Sequence, residues 1–436
     1  MGRLGKTGKA AVAVFILIGL LLLVFIVHGI STESAPAATK ADVHVEANGI
    51  FPPALPNAEM RKMLQPMSPG GAMPDEDALQ AKVASLLKEG VEVCGMSPTE
   101  AAYYVASNGK IGGRPEAKAA LLAEAAGAIV QSAELRERAT GLYIQAYLAE
   151  SAGGEEREQK DRECKTLDCR RALTAAWAES RRNAARPLAV VARQSRDPAI
   201  YAAAVHACQK EEAGGCSGIS YAGWAKLEPE NAAPWMMLSE QAKAAGDANA
   251  RAEALRRIAT ASRVDFRLPD MGPLINAGAL KDAAAFEQHE LLVSMIGVTA
   301  STSINHGMAL GNICLRADTW DDERKAICDN LANMMAEKDR SMVGLRMATI
   351  VAKKLGWSGE RIQVLQDESD MIMGSWIADA NRENHFGCEQ MARDVQRGKE
   401  WLSIGERAVA RQQAAKSGKT MRELAEDYRK TLKPAP

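Results

Sequence analysis

The sequence has few aromatic residues and no excess of either charge. Phe, Trp and Tyr make up 5% of the 436 residues, and 54 basic residues are balanced by 55 acidic ones. Domains that bind nucleic acid normally carry a basic patch or stripe, and no basic block occurs in this chain. We therefore expect no nucleic-acid partner.

The sequence also lacks the short motifs that accompany many catalytic, cofactor and metal sites. It contains no C-x-x-C, no H-E-x-x-H, no G-x-S-x-G and no G-x-x-x-x-G-K-[ST]. These motifs supply redox thiols, zinc ligands, an activated serine and a phosphate-binding loop, respectively. We expect no cofactor, no metal ion and no enzymatic activity.

One long apolar segment occurs, and it lies at the N-terminus. Residues 10–30 contain no Asp, Glu, Lys or Arg, whereas Arg3, Lys6 and Lys9 precede them. At ~1.5 Å per residue this segment forms a helix of roughly 31 Å, close to the ~30 Å hydrocarbon core of a bilayer. The preceding cations predict that residues 1–9 are cytoplasmic. A cleavable signal is the alternative, because Ala35-Pro-Ala37 offers a cleavage site.

This anchor predicts where the rest of the chain works. We expect a single-pass protein of the inner (plasma) membrane, with the bulk of the chain in the periplasm if the source is Gram-negative. Residues 31–75 contain seven of the 17 prolines, and proline fixes φ and removes a backbone donor. We therefore interpret residues 31–75 as a Pro-rich linker that holds the next domain away from the membrane.

The eight cysteines are expected to form disulfides in that oxidising compartment. Zinc is the alternative, but only His206 and His385 lie beside a cysteine, so structural disulfides are favoured. Eight cysteines allow 105 connectivities, and proximity in the sequence is our only guide. It suggests the pairs Cys164–Cys169, Cys208–Cys216, Cys314–Cys328 and Cys94–Cys388.

Apolar residues follow helical spacing through most of the chain after residue 75. The clearest stripe runs from Leu135 through Leu142 to Tyr147, and Pro198 and Thr420 stand at typical helix starts. Strand-like alternation is nearly missing. Alanine is abundant, and small side chains allow many short helices to pack closely. We predict an all-α fold.

Residues 221–265 contain a recognisable repeat pattern. Trp235 lies three residues before Leu238, Gly246-Asp247 follows, and Ala252 and Ala259 are spaced by seven. The stretch resembles a tetratricopeptide repeat (TPR), in which two helices form a hairpin and successive hairpins stack. The resemblance implies that Trp235 and Leu238 pack against the two alanines, and that Gly246 permits the tight turn. It therefore also implies an α-solenoid-like fold of helical hairpins.

Two helical subdomains are expected, because the roughly 360 residues after the linker exceed one ordinary core. The proposed break, from Asp265 to Asn276, contains two prolines and a glycine. It separates a TPR-like subdomain over residues 76–265 from a second helical subdomain over residues 277–436. In the second subdomain, helices over residues 283–297 and 309–315 are expected to flank a polar stretch at 301–307.

Three residues are the most typical of an enzyme. His306 lies in the polar stretch Ser-Thr-Ser-Ile-Asn-His-Gly, and Glu368 and Asp370 could form a carboxylate pair for glycan chemistry. Ordinary structural roles explain all three at least as well. An enzyme would require these groups to converge in a deep cleft.

The resemblance to tetratricopeptide repeats implies a protein-binding role, since stacked hairpins form curved surfaces that bind polypeptide segments. We therefore expect a membrane-anchored extracytoplasmic scaffold, adaptor or chaperone-like factor of the cell envelope, with an unidentified protein partner. The alternatives are an all-α envelope enzyme acting on glycan or peptide, and a structural spacer without a ligand.

Overall fold

The computed structural model describes residues 81, 84–85, 115–151, 154–208, 214–315, 320–380 and 388–432. These residues form α-helices and short 3-10 helices, and no strand occurs among them beyond one isolated bridge between Asn231 and Arg263. The all-α prediction is confirmed. The predicted anchor and linker lie outside the described residues. No helix within the described ranges combines the length and the apolarity that a membrane crossing requires.

Sixteen α-helices can be assigned in these ranges. In chain order they are α1 Pro115–Val130, α2 Leu135–Ser151, α3 Gly154–Glu163, α4 Leu167–Gln194, α5 Pro198–Cys208, α6 Tyr221–Leu227, α7 Ala232–Ala244, α8 Ala248–Thr260, α9 Gly272–Ile275, α10 Ala285–Cys314, α11 Asp322–Lys338, α12 Met342–Leu355, α13 Gly359–Ala380, α14 Cys388–Ile404, α15 Glu406–Ser417 and α16 Met421–Leu432. Two 3-10 helices cover Gly214–Cys216 and Gly278–Asp282.

Side-chain caps explain where several helices begin. Ser220, Asn231, Asp247 and Ser341 each accept a hydrogen bond from a backbone N–H in the first turn of the following helix. Such a cap satisfies one of the four N–H groups that the first turn leaves without a helical partner. The predicted starts of α5 and α16 agree with the structure, since these helices begin at Pro198 and just after Thr420.

Helices that are neighbours in the sequence pack against each other. α1 packs on α2, α4 on α5, α7 on α8, and α11 on α12. These pairs are in turn linked by contacts of α2 with α4 and of α8 with α11. Most of the described chain therefore builds its core from local helix pairs and their stacking.

The long helix α10 crosses this arrangement. Its 30 residues span ~45 Å, and it contacts α1, α7, α11 and α14. The prediction of two helices separated by a polar stretch at 301–307 was wrong, because these residues lie inside one continuous helix. Polar residues and a single glycine lower helix propensity only modestly, and packing along α10 outweighs that cost.

The buried residues form one cluster that extends from Leu122 in α1 to Tyr428 in α16. Segments 76–265 and 277–436 both contribute to it, and their treatment as two subdomains stays a prediction. The expected break is irregular apart from the short helix α9. Small buried alanines such as Ala126 and Ala189 let helix backbones approach closely.

Three of the four predicted disulfides are confirmed. Cys164–Cys169, Cys208–Cys216 and Cys314–Cys328 are bonded in the structure. Cys94 lies outside the described residues, so its pairing with Cys388 stays a prediction. Cys208–Cys216 joins the end of α5 to the following 3-10 helix, and Cys314–Cys328 joins the end of α10 to α11.

Replacing Gly246 by Ala should lower the free energy of unfolding by about 1 kcal/mol. Gly246 adopts φ +70° in the turn between α7 and α8, and a non-glycine residue is strained in that conformation. No atom lies within 4 Å of the position of the added Cβ, so only the backbone conformation contributes. Gly127→Ala in α1 is the matched control, since its Cβ also meets nothing within 4 Å and its backbone is helical.

Urea unfolding followed by circular dichroism measures both variants. The control should gain about 0.5–1 kcal/mol, because glycine in a helix is less stable than alanine. Equal effects of the two substitutions would contradict the prediction.

Candidate functional site

The residues that carry the repeat resemblance lie in α7, in α8 and in the turn between them. Trp235 and Leu238 are half-buried against the core, and Arg257 lies 5.5 Å from the centre of the Trp235 ring. Ala252 and Ala259, however, are exposed. Ala252 and Ala259, which were expected to pack against Trp235 and Leu238, are therefore not on the buried face of α8.

The buried face of α8 instead carries Ala254, Leu255 and Ile258. Leu255 and Ile258 are larger than alanine and remove more apolar surface from water, so they determine which side of the helix faces the core. The buried face of α8 thus differs from the face that carries Ala252 and Ala259.

His306 lies in a buried cluster of aromatic rings. Its ring centre is 4.5 Å from that of Phe266, 5.1 Å from that of His206 and 6.5 Å from that of Trp224. The His206 ring is also edge-on to Trp224, at 5.6 Å. Only 1% of His306 is exposed, so a substrate could reach its ring only by displacing packed side chains. The residue predicted as the most enzyme-like lies in a packed interior.

His206 is held as a neutral ring in this aromatic cluster. Its Nε2 lies 2.9 Å from the carbonyl oxygen of Phe266, which can only accept, so Nε2 donates. Burial lowers the pKa of His206 to about 4, and the Phe266 carbonyl offsets only part of that shift. Burial disfavours the charged imidazolium, which has lost its water shell.

A second buried group, Glu228, lies at the end of α6 next to this cluster. Its carboxylate accepts hydrogen bonds from Trp224 Nε1 at 2.8 Å and from Arg267 Nη2 at 2.6 Å. Arg263 and Asn231 donate to it as well. Burial alone would raise the pKa of Glu228, but these donors outweigh it and hold the pKa at about 2.

The Glu228 network fixes the loop that follows α8. Asn231 donates to the backbone carbonyl of Asp265 at 2.7 Å and accepts from the Asp265 N–H at 3.0 Å. Arg267 adopts φ +49°, a left-handed conformation that is uncommon for a residue with a side chain. Its ion pair with Glu228 and the bond from its N–H to the Asp265 carboxylate support this strained turn.

The candidate carboxylates Glu368 and Asp370 are directed to different neighbours. Glu368 is buried and binds Arg407 through two hydrogen bonds of 3.0 and 2.8 Å, and Arg411 through an ion pair of 2.7 Å. Asp370 pairs with Arg429 at 2.7 Å. Positions i and i+2 do not share a helix face, so the structure does not bring the two carboxylates together. Each of them ties α13 to another helix, α15 or α16.

A cleft of about 420 Å³ lies where α1, α2, the loop before α9, and α14 meet. Its charged lining residues are Glu137 on α2, Asp270 in the loop and Lys399 on α14. Apolar side chains also line it, among them Ile129, Pro273 and Leu402. The loop is attached to α2 through the Thr140 hydroxyl, which donates to the Asp270 carbonyl at 3.1 Å.

The three charged side chains of the cleft differ from the charged groups in the core. Glu137 accepts a hydrogen bond from the Ser132 hydroxyl at 2.7 Å, and Asp270 accepts one from the Gly272 N–H at 2.9 Å. Neither carboxylate, nor Lys399, forms an ion pair with another residue of the described ranges. Glu228, Glu368 and Asp367, by contrast, each pair with two arginines. The cleft therefore combines an open cavity with charged groups that have no ion-pair partner among the described residues.

Sequence reasoning missed the cleft, because its walls come from three segments far apart in the chain. Within the described part of the chain, no three His, Cys, Asp or Glu side chains converge in a way that could hold a metal ion. Comparisons with protein-family models, with curated proteins and with solved structures found no match for this chain.

Proposed function

We propose that the protein is a membrane-anchored extracytoplasmic helical scaffold that binds another protein through the cleft. The observation that carries this proposal is the presence, around an open cleft of about 420 Å³, of three charged side chains that form no ion pair with any residue that the structure describes. Such a cleft can take a polypeptide segment, because pockets of roughly 300–1,000 Å³ bury small ligands and peptide side chains.

Four further features support the proposal. The apolar segment 10–30 has the length of a membrane span, and residues 221–265 resemble a helical repeat that usually binds polypeptides. Disulfides suit an oxidising compartment. The histidine and the carboxylates most typical of an enzyme are buried or paired with arginines, which favours a structural role for them over catalysis.

Photocrosslinking in intact cells tests the proposal. The exposed residue Asn276, which lines the cleft, is replaced by the photoreactive amino acid p-benzoylphenylalanine, and the membrane fraction is analysed after irradiation. Val364 on α13 is 47% exposed and does not line the cleft, so it serves as the control position. We expect a discrete product containing a second protein from position 276 only. The proposal fails if neither position gives a product, or if both give the same products.

A further inference from the structure

We propose that the cleft recognises a basic side chain, Lys or Arg, in an extended segment of the partner protein. This inference rests on the proposed scaffold function and deepens it. Glu137 and Asp270 contribute two negative charges and Lys399 one positive charge, so the lining carries a net charge of −1. Among side chains, a cation complements this net charge.

Each of the two carboxylates is held by one hydrogen bond from a neutral donor. Ser132 binds Oε2 of Glu137, and the Gly272 N–H binds Oδ1 of Asp270. These donors are neutral, so they position each carboxylate without cancelling its charge. Oε1 of Glu137 and Oδ2 of Asp270 accept no hydrogen bond within the described ranges and can accept one from an ammonium or guanidinium group.

The apolar lining suits the rest of a basic side chain. Lys and Arg place three or four methylene groups before their charged end, and these stems bury well along apolar surface. Ile129, Pro273 and Leu402 contribute such a surface to the same cleft. A short acidic or polar side chain would leave this surface uncovered and would meet two carboxylates.

Lys399 offers a second kind of contact to the partner segment. It lies on α14, whereas the two carboxylates belong to α2 and to the loop before α9. An ammonium group on this separate element can bind a main-chain carbonyl or a carboxylate of the same partner segment. The segment would thus be held through its basic side chain and through its backbone.

Binding of two short peptides to the full-length protein in detergent tests this inference. One probe is the fluorescein-labelled, C-terminally amidated peptide Ala-Leu-Lys-Ala-Ala, and the other carries norleucine in place of lysine. Norleucine keeps an apolar stem and lacks the ammonium group. Charge-assisted hydrogen bonds contribute about 1.5–3 kcal/mol, so fluorescence anisotropy should give an affinity for the lysine peptide that is about 10- to 100-fold higher.

Two variants and one control connect the effect to the cleft. Glu137→Gln and Asp270→Asn should each weaken binding of the lysine peptide about tenfold or more and leave binding of the norleucine peptide unchanged. Glu134→Gln, an exposed position that does not line the cleft, should change neither. Circular dichroism and the thermal midpoint check that the variants remain folded.

Three results would overturn the inference: equal affinity for the two peptides, no binding of the lysine peptide at millimolar concentration, or unchanged binding by the Glu137→Gln and Asp270→Asn variants. The crosslinking experiment separates this failure from failure of the scaffold function. A crosslinked product from position 276, combined with equal affinity for the lysine and norleucine peptides, would support the scaffold function and refute recognition of a basic side chain.

Discussion

Replacing Glu228 by Gln is expected to lower the free energy of unfolding by about 2–3 kcal/mol. The substitution keeps the size of the side chain and removes its charge, so Arg263 and Arg267 lose their common buried counter-ion. Arg263 keeps its ion pairs with Glu230 and Asp265, and Arg267 keeps its pair with Asp265, so the loss comes from the charge-assisted hydrogen bonds that the buried carboxylate accepts. The strained turn at Arg267 would also lose a supporting contact.

Urea unfolding at pH 7, followed by circular dichroism, measures this loss. Glu230→Gln is the matched control, because Glu230 pairs with the same Arg263 at 3.0 Å and its side chain is 50% exposed. An exposed pair contributes at most about 1 kcal/mol. Similar effects of the two substitutions would show that burial of Glu228 does not control the energetics of this network.

Mild acid is expected to destabilise the protein through His206. Burial lowers the pKa of this residue from its ordinary 6.5 to about 4 in the folded protein. Between these two pH values the unfolded chain binds a proton that the folded protein does not bind, so the free energy of unfolding falls as the pH falls. The full loss by pH 4 is roughly 3 kcal/mol.

The surroundings of His206 allow its effect to be separated from others. The rings of Trp224 and His306 face it, and the Phe266 carbonyl accepts from it. The nearby carboxylate Glu228 has its pKa lowered from 4.5 to about 2, so its stabilising contribution is present above pH 4.5 and is lost only below that. Glu228 therefore stays ionised in the folded state between pH 7 and pH 4.5. Burial raises the pKa of Asp339 and of Glu406, so the contribution of His206 is obtained by comparing the wild type with a His206 variant.

His206→Gln is the informative variant, because the amide can still donate to the Phe266 carbonyl and does not titrate. Its free energy of unfolding, measured in urea, should fall less steeply between pH 7 and pH 4.5 than that of the wild type. An unchanged slope in His206→Gln would assign the acid sensitivity to other groups.

Local patterns in the sequence were sufficient to predict much of the fold. Helix-start residues such as Pro198 and Thr420 act on the next few residues, and apolar spacing acts over one or two helical turns. The three disulfides that the structure confirms join cysteines 5, 8 and 14 residues apart, so proximity in the sequence was a good guide. The buried face of α8 could not be predicted in this way, because it depends on which side chains the neighbouring helices cover.

The sites could not be predicted in the same way, because their members are far apart in the sequence. Glu228 meets Arg263 and Arg267 across 35 and 39 residues. His206 and His306, which touch in the aromatic cluster, are separated by 100 residues. No local pattern indicates which partners these residues meet. Only the packing of α5, α6 and α10 with the loop after α8 brings them together.

The short spacing of the three disulfides has a consequence for a protein held at one end and pulled at the other. Each disulfide prevents only the segment that it encloses from extending. The enclosed segments have extended lengths of about 18, 28 and 49 Å for separations of 5, 8 and 14 residues. In the proposed scaffold, tension between the membrane anchor and a bound partner would therefore act on the contacts between helices. The three disulfides would shorten the extended chain and would not keep the helices from separating.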